Sequence, residues 1–188
     1  MAGPIAPAAV VAVIGAGAMG AGIAQVAAQA GHRVRLLDAR AGAAADAVRR
    51  LAQTLDALAA KGRMSADDAR ATAGRIVAVD APADCAGASL VVEAIVEDLA
   101  AKRELAGALE AVVADDAILA SNTSSLSITA LAAGMRRPGR IAGLHFFNPA
   151  PLMPLVEVVR GLATDPAVAD TLFATAAAWG KTPVHAAS

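Results

Sequence analysis

A histidine and a glutamate in the C-terminal third of the chain have the types and spacing needed for proton transfer. His145 follows an apolar segment, and Glu157 lies within the apolar segment Leu155–Val159. A histidine titrates near neutral pH and can take a hydroxyl proton while hydride leaves the same carbon. The imidazole becomes cationic in that step, and an unpaired carboxylate on an apolar strand is costly. Pairing the two side chains solves both problems, so we expect them to be in contact.

A second group of residues, near the N-terminus, fits the binding of a dinucleotide. The apolar segment Val10–Ile14 predicts a buried strand that leads into the turn Gly15-x-Gly17-x-x-Gly20. In such a turn the first glycine permits the tight bend and the second lets the backbone approach a pyrophosphate. The third lets the following helix pack closely, and the N–H groups at the start of that helix face the phosphates. An ordinary strand–turn–helix without a ligand is the alternative.

Asp38 indicates which dinucleotide fits this turn. It ends a predicted second strand, Arg33–Leu37, and lies 18 residues after Gly20. An acid at this place hydrogen-bonds the ribose diol of NAD and repels the 2′-phosphate of NADP. NAD is therefore favoured, although the nearby Arg40 leaves the preference over NADP open.

The remaining histidines and the single cysteine are expected to be structural. His32 follows a turn glycine, and His185 lies in a polar stretch near the end of the sequence. Cys85 has no second cysteine to pair with, which excludes an internal disulfide and fits a reducing compartment.

Predicted strands and helices alternate along the chain, as in a parallel sheet covered on both faces. The further expected strands are Arg75–Val79, Leu90–Glu93, Ile118–Ala120, Ile141–Leu144 and Leu155–Val159. The expected helices are Met19–Ala30, Ala41–Ala60, Ser65–Ala73, Asp98–Val113 and one from Asp165 to Gly180. Ligands of doubly wound sheets bind beyond the carboxyl ends of the strands. Asn122–Ser125 and His145–Asn148 both follow expected strands, so both should lie at that edge.

Composition narrows the class of protein. The 188 residues are 57% apolar but only 2% aromatic, so alanine and aliphatic residues must build the core. We expect one α/β domain over residues 1–188, in which residues 1–8 form a loose leader. The net charge of −1 gives no electrostatic basis for binding nucleic acid or an anionic membrane. The N-terminus lacks the basic start and apolar core of a signal peptide, and the first apolar segment is too short to span a bilayer. A cytoplasmic protein is expected.

Five segments of the chain resemble the NAD-binding domain of L-3-hydroxyacyl-CoA dehydrogenases, which include the 3-hydroxybutyryl-CoA dehydrogenases. They are GAGAMGAGIAQVAAQAGHRVRLLD (15–38), VVEAIVED (91–98), SNTSSL (121–126), GLHFFNPAPLMPLVEVV (143–159) and GKTPV (180–184). The relatives that act on 3-hydroxyisobutyrate share the opening but use a catalytic lysine and lack an HFFNP-like block. The resemblance implies a Rossmann-type, mostly parallel sheet and NAD-dependent oxidation of L-3-hydroxyacyl-CoA to 3-ketoacyl-CoA. That step belongs to fatty-acid, butanoate or phenylacetate-type degradation.

The resemblance also implies roles for individual residues. His145 corresponds to the general base, Glu157 to its electrostatic partner and Ser124 to a contact of the substrate. The implied cofactor contacts are Gly15, Gly17, Ala18, Met19, Gly20, Asp38, Glu97, Lys102, Ser124 and Asn148. Thr54 and Lys61 correspond to coenzyme A contacts, together with Ser124, and lie seven residues apart on one helical face.

Members of that family continue past the GKTPV segment into a helical second domain, which closes the substrate cleft and forms a homodimer. Because the sequence ends at Ser188, we expect a cofactor domain that binds NAD but turns over little hydroxyacyl-CoA. No metal is expected. Two alternatives stay open: a dehydrogenase of another hydroxy acid on the same fold, and a non-catalytic NAD-binding homologue.

Overall fold

The computed structural model describes residues 2–187, and its eight strands form one sheet. The strands are β1 Val10–Ile14, β2 Val34–Leu37, β3 Ile76–Val79, β4 Ala88–Glu93, β5 Ile118–Ser121, β6 Ile141–Phe146, β7 Leu155–Arg160 and β8 Thr182–Ala187. The helices are α1 Ala18–Gln29, α2 Ala43–Ala60, α3 Ala66–Gly74, α4 Leu99–Glu110, α5 Ile128–Ala132 and α6 Pro166–Ala178, with 3₁₀ turns at Pro82–Cys85 and Pro138–Arg140.

The sheet order is β3-β2-β1-β4-β5-β6-β7-β8. The first six strands are parallel, β7 pairs antiparallel with β6, and β8 pairs parallel with β7. The order 3-2-1-4-5-6 is that of dinucleotide-binding doubly wound folds. The expected Rossmann-type, mostly parallel sheet is therefore confirmed.

Strand β1 explains why the sheet has a core on each face. All five of its residues are buried, and successive side chains of a strand point to opposite faces. Val11 and Val13 pack with residues of α1 and α6, whereas Ala12 and Ile14 pack with residues of α4 and α5. A strand buried on both sides needs a continuous apolar run, as the sequence VVAVI provides.

Three elements differ from the sequence-based expectation. Strand β6 continues to Phe146, so His145 lies within the strand instead of after it. The short helix α5 was not expected; its first turn is capped by Ser127, whose hydroxyl accepts a hydrogen bond from the Ala130 N–H at 3.2 Å. Strand β8 was not expected either, because its sequence, TPVHAA, contains proline and polar residues. It is held by pairing with β7, a tertiary contact that local preference does not report.

The structural readings of the other histidines and of the cysteine agree with the structure. His32 is 2% exposed, and its Nδ1 lies 3.0 Å from the carbonyl oxygen of Ala9. The ring of His185 stacks on Phe173 with the centroids 4.7 Å apart. Cys85 is buried, and burial raises the pKa of its thiol to about 11.

Residues 2–8 form no helix or strand, but the Ile5 N–H donates to Thr175 Oγ1 at 2.9 Å, which fastens the segment to α6. Within residues 2–187, no helix combines the length and apolar character needed to cross a bilayer.

Candidate functional site

The glycine-rich turn joins β1 to α1 and leaves an open space at its centre. Gly15 has φ +105°, and a β carbon there would lie 2.5 Å from the carbonyl oxygen of Ala94. A β carbon on Gly20 would lie 1.7 Å from the carbonyl oxygen of Gly15. At Gly17, which precedes α1, a β carbon would meet nothing within 4 Å. The first and third glycines are thus required by the fold itself, whereas the second borders space that a phosphate group fits.

Gly17→Ala and Gly20→Ala are therefore expected to act differently. The first lowers affinity for NADH, because its methyl group enters the space assigned to the phosphate. It changes the melting temperature little, because the methyl group meets no protein atom there. The second lowers both, since the backbone of the turn must move. NADH fluorescence titration and thermal unfolding of the two variants measure this difference. A large loss of stability in Gly17→Ala would contradict the assignment of that space to the ligand.

Asp38 is held at the carboxyl end of β2, beside the glycine turn. Its Oδ2 accepts a hydrogen bond from the Ala16 N–H at 2.8 Å, and its Oδ1 accepts one from the Arg40 N–H at 2.8 Å. Burial pushes the pKa of Asp38 upward, but these N–H donors and the Arg40 guanidinium outweigh it and hold the pKa below its usual value. The carboxylate is thus ionised at neutral pH, and Oδ2, which accepts only the Ala16 N–H, keeps a lone pair for a ribose hydroxyl. The Arg40 side chain contacts Asp38 itself, with Nε 3.3 Å from Oδ1.

His145 and Glu157 are in contact, as their types and spacing predicted. They face each other directly in the antiparallel pair β6–β7, and His145 Nδ1 lies 2.8 Å from Glu157 Oε1. Because a carboxylate can only accept, Nδ1 carries the proton and Nε2 of the neutral ring keeps its lone pair. The ring also packs against Phe147 at a centroid distance of 4.5 Å.

A cleft of about 330 Å³ connects the glycine turn with His145. Its lining residues are Met19, Ala94, Ile95, Glu97, Lys102, Asn122, Ser124, His145, Phe146, Phe147 and Asn148. The cleft therefore brings together six residues that the sequence analysis assigned to the cofactor or to catalysis: Met19, Glu97, Lys102, Ser124, His145 and Asn148. Of these, the sequence predicts only Ser124, His145 and Asn148 at one edge of the sheet, whereas the family resemblance alone implies Glu97 and Lys102.

A second pocket, of about 260 Å³, lies on the other side of His145. It is lined by residues 123–128, by His145 and Glu157, and by Val159, Ala186 and Ala187 of β7 and β8. Ser124 and His145 line both spaces, so they form the wall between the cleft and the pocket. A substrate in the pocket and a cofactor in the cleft would meet at these two side chains.

Glu97 is hydrogen-bonded to the loop that follows β5. Its Oε1 accepts a hydrogen bond from the Thr123 hydroxyl, from the Ser124 N–H at 3.2 Å and from the Ser125 hydroxyl at 3.2 Å. Its Oε2 lies 3.3 Å from Lys102 Nζ. Burial pushes the pKa of Glu97 upward, but the Thr123 hydroxyl and the Lys102 ammonium outweigh it and lower the pKa to about 2. Glu97 thereby fixes the position of Ser124.

The lowered pKa of Glu97 predicts a pH dependence of stability. A carboxyl whose pKa falls on folding stabilises the native state above its unfolded value and loses that effect as pH drops through the folded value. For Glu97 the window runs from 4.5 down to about 2. Glu97→Gln should therefore flatten the fall in unfolding free energy over this range, as measured by urea unfolding at several pH values. An unchanged pH profile would show that the native contacts of Glu97 do not depend on its charge.

Glu93 forms a buried ion pair with Lys102 that the sequence analysis did not identify. Lys102 is 2% exposed, and its Nζ lies 2.9 Å from Glu93 Oε1 and 3.0 Å from Oε2. Glu93 also accepts hydrogen bonds from the Ser121 hydroxyl and from the Ile95 N–H at 3.0 Å. A glutamate that ends the apolar strand LVVE needs a partner for the same reason as Glu157, so the signal was present. Both Glu97 and Lys102 already have hydrogen-bond partners within the protein. Their role as cofactor contacts stays a prediction.

The two residues implied to bind coenzyme A lie apart from the cleft. Thr54 is on α2 and Lys61 directly follows it; both are exposed, and neither lines the cleft or the second pocket. The Thr54 hydroxyl donates to the carbonyl oxygen of Arg50 at 3.0 Å. Residues seven apart on a helix lie on one face, about 10 Å apart along the axis. Their assignment stays a prediction.

Comparison with known proteins agrees with this geometry. The family described as "3-hydroxyacyl-CoA dehydrogenase, NAD binding domain" matches residues 10–188. The chain is 46% identical to a 3-hydroxyadipyl-CoA dehydrogenase of Escherichia coli, over 93% of this chain and 37% of that protein. It is 44% identical to a probable 3-hydroxybutyryl-CoA dehydrogenase of Bacillus subtilis, over 92% of this chain and 60% of that protein.

A solved structure gives the same result. The crystal structure of a 3-hydroxybutyryl-CoA dehydrogenase from Escherichia coli superposes with a TM-score of 0.94 and 45% identity, covering 96% of this chain and 38% of that one. The chain thus spans 37–60% of the length of the curated relatives named above. On the match to the family and to these relatives, the chain belongs to the NAD-binding domain family of 3-hydroxyacyl-CoA dehydrogenases.

Proposed function

We propose that this chain binds NAD and supplies the general base for oxidation of an L-3-hydroxyacyl-CoA to the 3-ketoacyl-CoA. The observation that carries the proposal is the His145–Glu157 pair, 2.8 Å apart, whose histidine lines the cleft that begins at the glycine turn. The family match and the named relatives support the choice of substrate class.

The glycine turn and Asp38 fit the cofactor. The open space at Gly17 faces the start of α1, whose first N–H groups have no acceptor within the helix. Those donors suit a pyrophosphate, and the ionised Asp38 carboxylate suits the two hydroxyls of an adenosine ribose. A 2′-phosphate would meet that carboxylate instead, which supports NAD over NADP.

The proton moves through His145. NAD, when bound, accepts the hydride that leaves the hydroxyl-bearing carbon of the substrate. Nε2 of His145 takes the proton of the same hydroxyl group, because Nδ1 already donates to Glu157. The imidazolium that forms is then 2.8 Å from the Glu157 carboxylate, which stabilises its charge. In the reverse direction the same nitrogen returns the proton to the reduced carbonyl oxygen.

Ser124 orients the reacting end of the substrate. It lies between the cleft and the second pocket, and its backbone N–H is held by Glu97 at 3.2 Å. A hydroxyl group can donate to the carbonyl oxygen of the ketone or accept from the hydroxyl of the alcohol. It therefore suits both directions of the reaction.

We also propose that Lys61 and Thr54 contact coenzyme A. Lys61→Ala is expected to raise KM for the acyl-CoA about two- to fivefold without changing the dissociation constant of NADH, because an exposed ion pair contributes little. Arg70→Ala, an exposed cation on α3, is the matched control and should leave KM unchanged. Equal KM values for the wild type and Lys61→Ala would refute the contact.

A substrate comparison on the natural full-length protein tests the proposed function. NADH formation is followed with L-3-hydroxybutyryl-CoA and with free L-3-hydroxybutyrate. We expect turnover of the thioester only. Turnover of the free acid would favour a dehydrogenase of another hydroxy acid, and NADH binding without turnover of either compound would favour a non-catalytic homologue. From the family resemblance alone we propose a homodimer in the cytoplasm, which light scattering and cell fractionation test.

A further inference from the structure

Asn122 has an amide whose orientation is fixed by the backbone of the neighbouring strand. It follows β5 directly, and its own N–H donates to the carbonyl oxygen of Glu93 at 2.9 Å. Its side-chain Oδ1 accepts a hydrogen bond from the N–H of Phe146 at 2.7 Å. Because a backbone N–H can only donate, the amide atom that faces it must be the oxygen. The amino group, Nδ2, is therefore left for a different partner.

Nδ2 has no hydrogen-bond acceptor among residues 2–187, although Asn122 is partly buried. Asn122 lines the 330 Å³ cleft but not the 260 Å³ pocket beyond His145. The free donor thus lies on the cofactor side of the wall formed by Ser124 and His145. An amide nitrogen offers two N–H groups, and a donor that lines a cleft without a protein acceptor is free to bind a ligand that brings one.

We propose that Asn122 is a positioning residue. Its side chain hydrogen-bonds both to the strand that carries the catalytic histidine and to the nicotinamide end of the cofactor. Oδ1 holds β6 at Phe146, the residue after His145. Nδ2 donates to an acceptor of the nicotinamide half of the dinucleotide, such as its carboxamide oxygen. The base and the hydride acceptor are then placed relative to each other by a single rigid amide. This inference rests on the proposed function only in taking NAD as the ligand of the cleft.

Asn122→Asp separates the two halves of the amide. The carboxylate keeps an oxygen for the Phe146 N–H but removes the donor. We expect the melting temperature to stay near that of the wild type and the dissociation constant for NADH to rise about three- to tenfold, the effect of one lost hydrogen bond. ADP-ribose, which lacks the nicotinamide, should bind to the variant as it binds to the wild type. Both ligands are measured by calorimetry on this chain.

Asn122→Ala is the second variant and guards against failure of the first to fold. It also removes the acceptor of the Phe146 N–H, so we expect a lower melting temperature together with the same selective loss of NADH over ADP-ribose. Equal affinity of Asn122→Asp and the wild type for NADH would overturn the inference, as would a parallel loss of NADH and ADP-ribose. If the wild type bound neither ligand, the proposed cofactor would be wrong instead.

Discussion

Replacing His145 by glutamine lowers kcat about 10²- to 10⁴-fold, the usual contribution of a general base. Glutamine is close in size to histidine and polar, but it cannot take the proton of the hydroxyl group. The pyrophosphate and ribose contacts proposed at the glycine turn and Asp38 do not involve His145, so the dissociation constant for NADH should stay near the wild-type value. The measurement is kcat with L-3-hydroxybutyryl-CoA on the natural full-length protein, with NADH affinity from fluorescence titration.

Glu157→Gln is the matched control for His145→Gln. The glutamine oxygen can still accept from Nδ1, which lies 2.8 Å from the carboxylate in the wild type, so the ring keeps its orientation. The charge that stabilises the imidazolium is lost, and kcat should fall, but less than in His145→Gln. A His145→Gln enzyme with wild-type kcat would refute the assignment of the base.

Lys102→Met should lower the free energy of unfolding by about 3–5 kcal/mol, because it leaves a buried carboxylate without its counter-ion. The Lys102 ammonium contacts both oxygens of Glu93 and is 3.3 Å from Glu97. Methionine fills similar volume, so the loss reports the charge more than the packing. Urea unfolding in the absence of any dinucleotide measures it.

Two further variants sharpen this test. Lys61→Met changes an exposed lysine in the same way and should alter the unfolding free energy by less than about 1 kcal/mol. Adding Glu93→Gln to Lys102→Met should recover part of the loss, because the unpaired charge is removed. If Lys102→Met kept wild-type stability and lost only NADH affinity, Lys102 would be a cofactor contact and not the centre of a buried ion pair.

The parts of the fold that local sequence determines were predictable. The buried run VVAVI, the three glycines and Asp38 lie within one strand–turn–helix–strand unit, where spacing alone fixes the geometry. The pairing of His145 with Glu157 was also predictable, because a charge on an apolar strand requires a partner. Glu93 obeys the same rule, but which cation it would meet could not be read from the sequence.

The remaining contacts depend on how distant segments pack. Glu97 reaches Thr123 across 26 residues, and nothing in either segment indicates that one caps the other. Strand β8 is an edge strand whose pairing with β7 outweighs the weak strand preference of its residues. The two roles of the Asn122 amide could be recognised only once the positions of β5 and β6 were known. The chemical role of each residue was predictable, but the hydrogen-bond network that orients the side chains was not.

A crystal structure of this chain with NAD bound tests the central claim most directly. We predict the pyrophosphate over Gly17, the adenosine ribose hydroxyls on Asp38, and the nicotinamide ring in the cleft beside Asn122 with its C4 facing the wall that His145 forms. A dinucleotide bound with its nicotinamide away from that wall, or bound outside the glycine turn, would contradict the account.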